Sequence, residues 1–191
     1  MPQGSLDDLT RLVIVNALYF KGDWQEAFDK GATRPGPFAT PGGEKQTPMM
    51  HGGHDTRHGF AAVDGVKVLS MDYKGGAMSM MFILPDAKDG LPAVEKSLTT
   101  AKLDGFVGAL SRKPVEVTLP KFEINPASSL SLGDTLVKLG MPTAFDDAKA
   151  DFTSIFNPPA LEDRLLIEKV FHKAFLKLDE KGTEAAAATA V

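Results

Sequence analysis

The chain has 191 residues, of which 43% are apolar, 25 are acidic and 21 are basic, and it contains no cysteine. Such a composition is typical of a globular chain with a substantial core, and the missing thiols exclude disulfides, a thiolate nucleophile and cysteine-bearing metal sites. The net charge of -4 without a basic stripe argues against nucleic-acid or membrane partners, and the longest apolar run, residues 77–84, is far short of the roughly 20 residues of a membrane span.

The first strong structural signal is the run LVIVNALYF at residues 12–20. It is apolar, rich in β-branched and aromatic residues, and short, so it predicts a strand that is buried on both faces. Asn16 lies in its middle, and a buried amide without a partner would cost on the order of 1 to 3 kcal/mol. We therefore expect another part of the chain to supply a hydrogen-bond partner for Asn16.

The middle of the chain alternates turn signals with short apolar segments. Residues 29–59 are rich in proline and glycine and predict short extended pieces between turns. The following elements are a hairpin of residues 63–73 and 77–84 closed by Lys74-Gly75-Gly76, two short helices at 91–99 and 102–110, and a strand at 115–124.

The elements after residue 125 are predicted with different clarity. Residues 128–139 carry leucines at helical spacing and stop at Gly140, which suits a left-handed helix C-cap. Residues 165–178 fit two patterns, because Val170, Phe171, Ala174, Phe175 and Leu178 share a helical face while strand alternation also works. Periodicity leaves both interpretations of this segment open.

Few residues suggest catalytic or metal chemistry. His51, His54 and His58 have a spacing that could bind zinc, but they lie in a glycine-rich loop with no rigid scaffold and no evident supporting shell. No phosphate-binding glycine motif or nucleophile elbow is present. We therefore expect no metal, no cofactor and no enzymatic activity, with a metal-dependent protein as the opposing hypothesis.

The C-terminal segment, GTEAAAATA at residues 182–190, contains no side chain larger than that of glutamate. An alanine-rich tail could fray or extend a helix, since alanine has the highest helix propensity. As a strand, it would place Thr183, Ala185, Ala187 and Thr189 on one face and Glu184 on the other. Such a segment could enter between two existing strands with little steric resistance.

Five blocks of the sequence together resemble the serpin family. They are LVIVNALYFKGDW (12–24), VLSMDYKGGAMSMMFILPD (68–86), VTLPKFEI (117–124), LVKLGMPTAFDDAKADFTSI (136–155) and IEKVFHKAFLKLDEKGTEAAAATA (167–190). The blocks occur in the family's order and cover nearly the whole chain. The resemblance implies an α+β fold of mixed β-sheets with short helices. It also implies that residues 166–178, for which periodicity allows a helix or a strand, form a strand of the main sheet.

The resemblance also implies that residues 1–191 are the C-terminal portion of one serpin domain, ending within the hinge of the reactive loop. The N-terminal half of the same domain would then be a partner, and the isolated chain would aggregate or need that half to fold. The first residues show no signal-peptide pattern, while the resemblance slightly favours an extracellular or exported protein.

The function that the resemblance implies is suicide inhibition of serine proteases, and in some relatives of cysteine proteases. The target protease cleaves the exposed loop, and the loop's hinge then inserts between the strands represented here by residues 12–20 and 166–178. The alternative within the family is a non-inhibitory serpin that carries a ligand or assists folding. The small residues of the hinge favour an inhibitor.

The resemblance assigns roles to three groups of residues. The hinge segment comprises Gly182, Thr183, Glu184, Ala185, Ala186, Ala187, Ala188 and Thr189, with Gly182 giving freedom, Thr183, Ala185, Ala187 and Thr189 facing the core, and Glu184 in solvent. The shutter pair comprises Asn16 and His172, and a hydrogen bond between their side chains would provide the partner expected for the buried amide of Asn16. The breach group comprises Trp24, Lys121 and Glu180. Lys181 departs from the family, because many inhibitory relatives carry an acid there.

Overall fold

The computed structural model describes residues 15–157, 159–160 and 164–190. The strands in these ranges are β1 (Val15–Asp23), β2 (Arg34–Thr40), β3 (Gly43–His51), β4 (Arg57–Val63), β5 (Val66–Asp72), β6 (Ser79–Pro85), β7 (Ser111–Pro114), β8 (Thr118–Pro120), β9 (Phe122–Ile124), β10 (Leu130–Ser131), β11 (Phe171–Leu178) and β12 (Gly182–Ala190). The α-helices are α1 (Leu91–Ser97), α2 (Thr100–Ala109) and α3 (Gly133–Lys138). Sheets with a few short helices agree with the predicted fold class. None of the helices in the described ranges has the length and hydrophobicity to cross a membrane.

The strands form three sheets. One has the order β1-β12-β11-β10 with β9 also paired to β11, the second has the order β2-β3-β8, and the third has the order β6-β5-β4-β7. The described residues divide into two compact units: unit 1 contains those within 15–20, 124–176 and 185–190, and unit 2 contains residues 21–123 and 177–184. Strands β1, β11 and β12 each contribute residues to both units.

Unit 2 is built around two antiparallel sheets. The predicted hairpin is confirmed as β5 and β6, with Gly75 and Gly76 at positive φ in the turn. A second hairpin joins β4 to β5 through Asp64 (φ 52°) and Gly65 (φ 74°), so Val63 ends β4 and does not begin β5. An Asp-Gly pair favours this tight turn. The hydrophobic core of the β4–β7 sheet contains Ala61, Val66, Val68 and Phe106, and Phe106 comes from α2.

Three predicted elements have different bounds in the structure. The strand expected at 115–124 is divided at Lys121, because β8 pairs with β3 whereas β9 pairs with β11. The helix expected at 128–139 begins only at Gly133, since residues 130–131 form a strand opposite residues 171–172. Residues 29–59 contain longer strands than expected, including a seven-pair hairpin of β2 with β3.

Unit 1 contains α3 together with residues 15–20 of β1, 171–176 of β11 and 185–190 of β12, the strands that it shares with unit 2. Leu132 donates its backbone N–H to Val170 (2.9 Å), and Ile167 donates to Ala144 (2.9 Å). The backbone of Val170 is therefore occupied by the segment before α3, and the strand that follows begins at Phe171. The strand interpretation of 166–178 is correct for its last eight residues, while residues 166–170 lie outside the regular strand.

Candidate functional site

The C-terminal segment lies within the first sheet as strand β12, between β1 and β11. The chain leaves β11 at Leu178, turns through Asp179, Glu180 and Lys181, and enters β12 at Gly182. The backbone N–H of Asp179 donates to the carbonyl of Gly182 (3.0 Å) and closes the turn. The side chains of an internal strand point above and below the sheet, so the room on its two faces decides which residues fit in this position.

Gly182 is buried and lies against the backbone of β1. A Cβ atom at this position would overlap the carbonyl oxygen of Gly22 and would lie 2.8 Å from the Cα of Asp23. The φ angle of Gly182 is not positive, so a close approach of two backbones, and not a left-handed conformation, requires glycine here. The role expected of Gly182 as a source of freedom in the hinge stays a prediction.

The rest of the hinge segment shows a partial division between faces. Thr183 is 3% exposed, and Ala185 and Ala187 are half-buried. Glu184 is also half-buried, and it makes an interaction within the protein, so it is less exposed than the predicted solvent position. Ala186 is half-buried as well, while the side chains of Ala188 and Thr189 lie outside the described residues although their backbone belongs to β12.

Glu180 and Lys121 of the predicted breach group are in contact. The ammonium of Lys121 donates to both carboxylate oxygens of Glu180, at 2.8 Å and 3.2 Å, and the hydroxyl of Thr33 donates to one of them at 2.9 Å. Glu180 is 3% exposed. Its burial raises the pKa, but hydrogen bonds from Lys121, its own backbone and Thr33 together lower the pKa of Glu180 to about 2. Glu180 is therefore a buried carboxylate held in its charged form.

Trp24, the third member of the breach group, is fully buried. Its indole N–H donates to the carbonyl of Asp179 (3.0 Å), and its backbone N–H donates to the carbonyl of Lys181 (2.8 Å). Its ring stacks on Tyr73 with a centroid distance of 4.7 Å and an angle of 9° between the planes. Trp24 thereby fixes both ends of the turn that precedes β12.

Tyr73 and Thr33 are functional candidates that the sequence patterns missed. The hydroxyl of Tyr73 donates to the hydroxyl of Thr183 (2.8 Å), and both residues are buried. Tyr73 is a polar-tipped aromatic residue at the end of an apolar strand, which is a weak signal. Thr33 contacts a residue 147 positions away, so no local pattern could have indicated it.

The shutter pair is described only in part. His172 is half-buried on β11, opposite Leu130 of β10. The backbone of Asn16 belongs to β1, but its side chain lies outside the described residues. The hydrogen bond between Asn16 and His172 stays a prediction.

The three histidines of the possible zinc site contact different partners. His51 lies 3.3 Å from the hydroxyl of Thr118, and His54 lies 3.4 Å from a carboxylate oxygen of Glu116. His58 is 8% exposed and lines a cleft of about 530 Å³ with Arg112 and Asp72. Within the described ranges, no group of three or more potential ligands is arranged to hold a metal ion.

Comparison with known proteins identifies the family of this arrangement. The model of the serpin family, described as serine protease inhibitors, matches residues 1–191. Human Serpin B8 is 40% identical over 190 residues, which are 98% of this chain and 49% of that protein. The chain thus spans about half the length of such relatives.

Two solved structures show how similar the folds are. A structure titled "Cleaved Serpin 42Da" has a TM-score of 0.89 and 36% identity, covering 100% of this chain and 50% of that one. Reactive-loop-cleaved human thyroxine binding globulin has a TM-score of 0.85 and 30% identity, covering 98% of this chain and 53% of that one. Both structures are of cleaved proteins.

Proposed function

Because the chain belongs to the serpin family, we propose that it forms part of a suicide inhibitor of serine endopeptidases. In this proposal the protease cleaves an exposed loop and remains attached as an acyl-enzyme while residues 182–189 enter the sheet. The protease is carried along and its active site is distorted. Each inhibitor molecule is consumed once, so the protein acts as a trap and not as a catalyst.

The observation that carries the proposal is the position of β12 between β1 and β11. A segment in this position hydrogen-bonds to a strand on each side, whereas an exposed loop bonds largely to water. About ten inserted residues at about 1 kcal/mol net for each hydrogen bond would contribute on the order of 10 kcal/mol. A gain of this size, released only after cleavage, can make trapping effectively irreversible.

The contacts around the start of β12 support a defined site where insertion begins. Trp24 holds the turn through two hydrogen bonds, and Glu180 is anchored by Lys121 and Thr33. We propose that this breach group keeps the turn fixed while the hinge segment moves. The shutter pair, Asn16 and His172, would be separated as the segment advances between the strands.

The proposal is tested with the protein expressed from its complete coding sequence. Incubation with a panel of trypsin-like, chymotrypsin-like and elastase-like serine proteases should give a complex that survives denaturing electrophoresis. Thr183→Arg should convert the inhibitor into a substrate, because Thr183 is 3% exposed within the sheet and cannot be replaced there by a charged side chain. Thr100→Arg, at the exposed start of α2, is the matched control and should behave like the wild type.

Two results would contradict this function. The first is the absence of a denaturant-resistant complex with every serine protease in the panel. The second is equal complex formation by Thr183→Arg and the wild type, which would remove the hinge segment from the mechanism.

A non-inhibitory ligand carrier is a second candidate, favoured by the similarity to thyroxine binding globulin. Both candidates can be cleaved in the loop, so complex formation with the protease separates them. A carrier would be cleaved without trapping the protease, and it would bind a small hydrophobic ligand with saturation in the intact state.

A further inference from the structure

Thr183 is the first residue of the hinge segment that carries a side chain, and its hydroxyl has a defined partner. The phenol of Tyr73 donates a hydrogen bond of 2.8 Å to the Oγ1 atom of Thr183. Tyr73 is 5% exposed and Thr183 is 3% exposed, so the bond lies out of contact with bulk water. A hydrogen bond between buried groups is sensitive to the loss of either partner, because the remaining group pays its desolvation cost unless it finds a replacement.

The position of the Tyr73 hydroxyl is fixed by elements other than β12. Tyr73 directly follows β5, and its backbone N–H donates to the carbonyl of Met78 across the β5–β6 turn (3.0 Å). Its ring stacks in parallel on Trp24, with which it also forms an isolated β-bridge. Burial raises the pKa of Tyr73, with the hydrogen bond to Thr183 opposing this in part, so the phenol keeps its proton and donates at neutral pH.

We propose that Tyr73 is a positioning residue whose hydroxyl captures the hydroxyl of Thr183 as the hinge segment enters the sheet, and that this bond makes a hydroxyl-bearing residue preferable to other small residues at position 183. The inference rests on the proposed inhibitory function. It explains why the first side chain of the segment is that of threonine although the four positions after Glu184 are alanine. Size alone would allow alanine or valine at position 183, but neither can accept a hydrogen bond from Tyr73.

Capture at this position acts at the first step of insertion. Gly182 lies against the backbone of β1 and has no side chain. Residue 183 is therefore the first whose side chain can form a contact that depends on the correct register of the entering strand. A bond of about 1 kcal/mol formed here would change the balance between trapping and release of the protease by about fivefold.

The experiment compares Tyr73→Phe, Thr183→Val, the double variant and Thr183→Ser in the protein expressed from its complete coding sequence. The stoichiometry of inhibition, which is the number of inhibitor molecules consumed for each protease trapped, is measured with a protease that the wild type inhibits. Titration of residual protease activity gives this number, and electrophoresis separates the trapped complex from the cleaved inhibitor.

Tyr73→Phe and Thr183→Val should each increase the ratio of cleaved inhibitor to trapped complex by about fivefold. The double variant should be no worse than either single variant, because both remove the same bond. Thr183→Ser should retain the wild-type ratio, since it keeps the oxygen. A role for Tyr73 in packing alone would not produce this rescue by serine or the non-additivity.

The inference is overturned if the effects of the two single variants multiply in the double variant, or if Thr183→Ser behaves like Thr183→Val. Should Tyr73→Phe fail to fold, the comparison of Val and Ser at position 183 in the presence of an intact Tyr73 still decides the question. A wild type that traps no protease overturns the proposed function itself, whereas a wild type that traps protease with unaffected variants overturns only the role of Tyr73.

Discussion

Replacement of Gly182 by alanine tests whether close approach of two backbones controls insertion. The added Cβ would overlap the carbonyl oxygen of Gly22 and lie 2.8 Å from the Cα of Asp23 and 2.9 Å from the carbonyl carbon of Gly22. All three are backbone atoms of β1, so no side chain can rotate to relieve the contact. The two strands must separate locally.

The size of the effect follows from the contacts that separation breaks. Carbon atoms pack at about 3.5 to 4.0 Å, so β1 and β12 would have to part by about 1 Å at Gly182. The adjacent hydrogen bond, from the N–H of Trp24 to the carbonyl of Lys181 at 2.8 Å, would then exceed the usual range. Losing one or two hydrogen bonds at about 1 kcal/mol each, together with residual overpacking of 1 to 3 kcal/mol, gives about 3 kcal/mol in total.

A loss of about 3 kcal/mol corresponds to roughly a hundredfold change in an equilibrium. Gly182→Ala should therefore turn most of the inhibitor into cleaved substrate, and the cleaved protein should unfold at a lower temperature than cleaved wild type. Gly108→Ala, on α2 with open space around the added Cβ, is the control. If Gly182→Ala keeps the wild-type stoichiometry of inhibition within twofold, the contact with β1 does not limit insertion and the steric reasoning is refuted.

Two further predictions concern pH. The pKa of Glu180 falls from 4.5 to about 2 in the folded protein, so about 3 kcal/mol of stability should be present above pH 4.5 and lost as the pH falls toward 2. Urea unfolding of the wild type and of Lys121→Met between pH 2 and 5 measures this loss. Identical pH profiles of the two proteins would contradict the prediction. Burial and, to a smaller extent, Arg112 lower the pKa of His58 below 6.5. As the pH falls below 6.5, the imidazole therefore takes up a proton in the unfolded chain before it does so in the folded protein, and stability should decline. His58→Phe should remove that decline, and a decline that persists in the variant would assign it to another group.

Much of the fold follows from local sequence. Residues 15–20 of the apolar run became part of β1, the glycines at 75 and 76 closed the expected hairpin, and the two short helices formed near their predicted bounds. In each case a short-range cause, either continuous hydrophobicity or turn chemistry, agrees with the tertiary structure. The serpin resemblance added the strand identity of residues 171–178, which periodicity left open.

Other features depend on partners that are distant in sequence. The helix predicted at 128–139 begins only at Gly133, because residues 130–131 pair with β11. The strand predicted at 115–124 is divided at Lys121, because the chain leaves one sheet for another there. The sequence by itself determined that the C-terminal segment is small enough to become an internal strand. Only the tertiary structure decided that Gly182 lies against Gly22 and that Thr183 meets Tyr73, 110 residues away, because such contacts exist only after the backbones have been brought together.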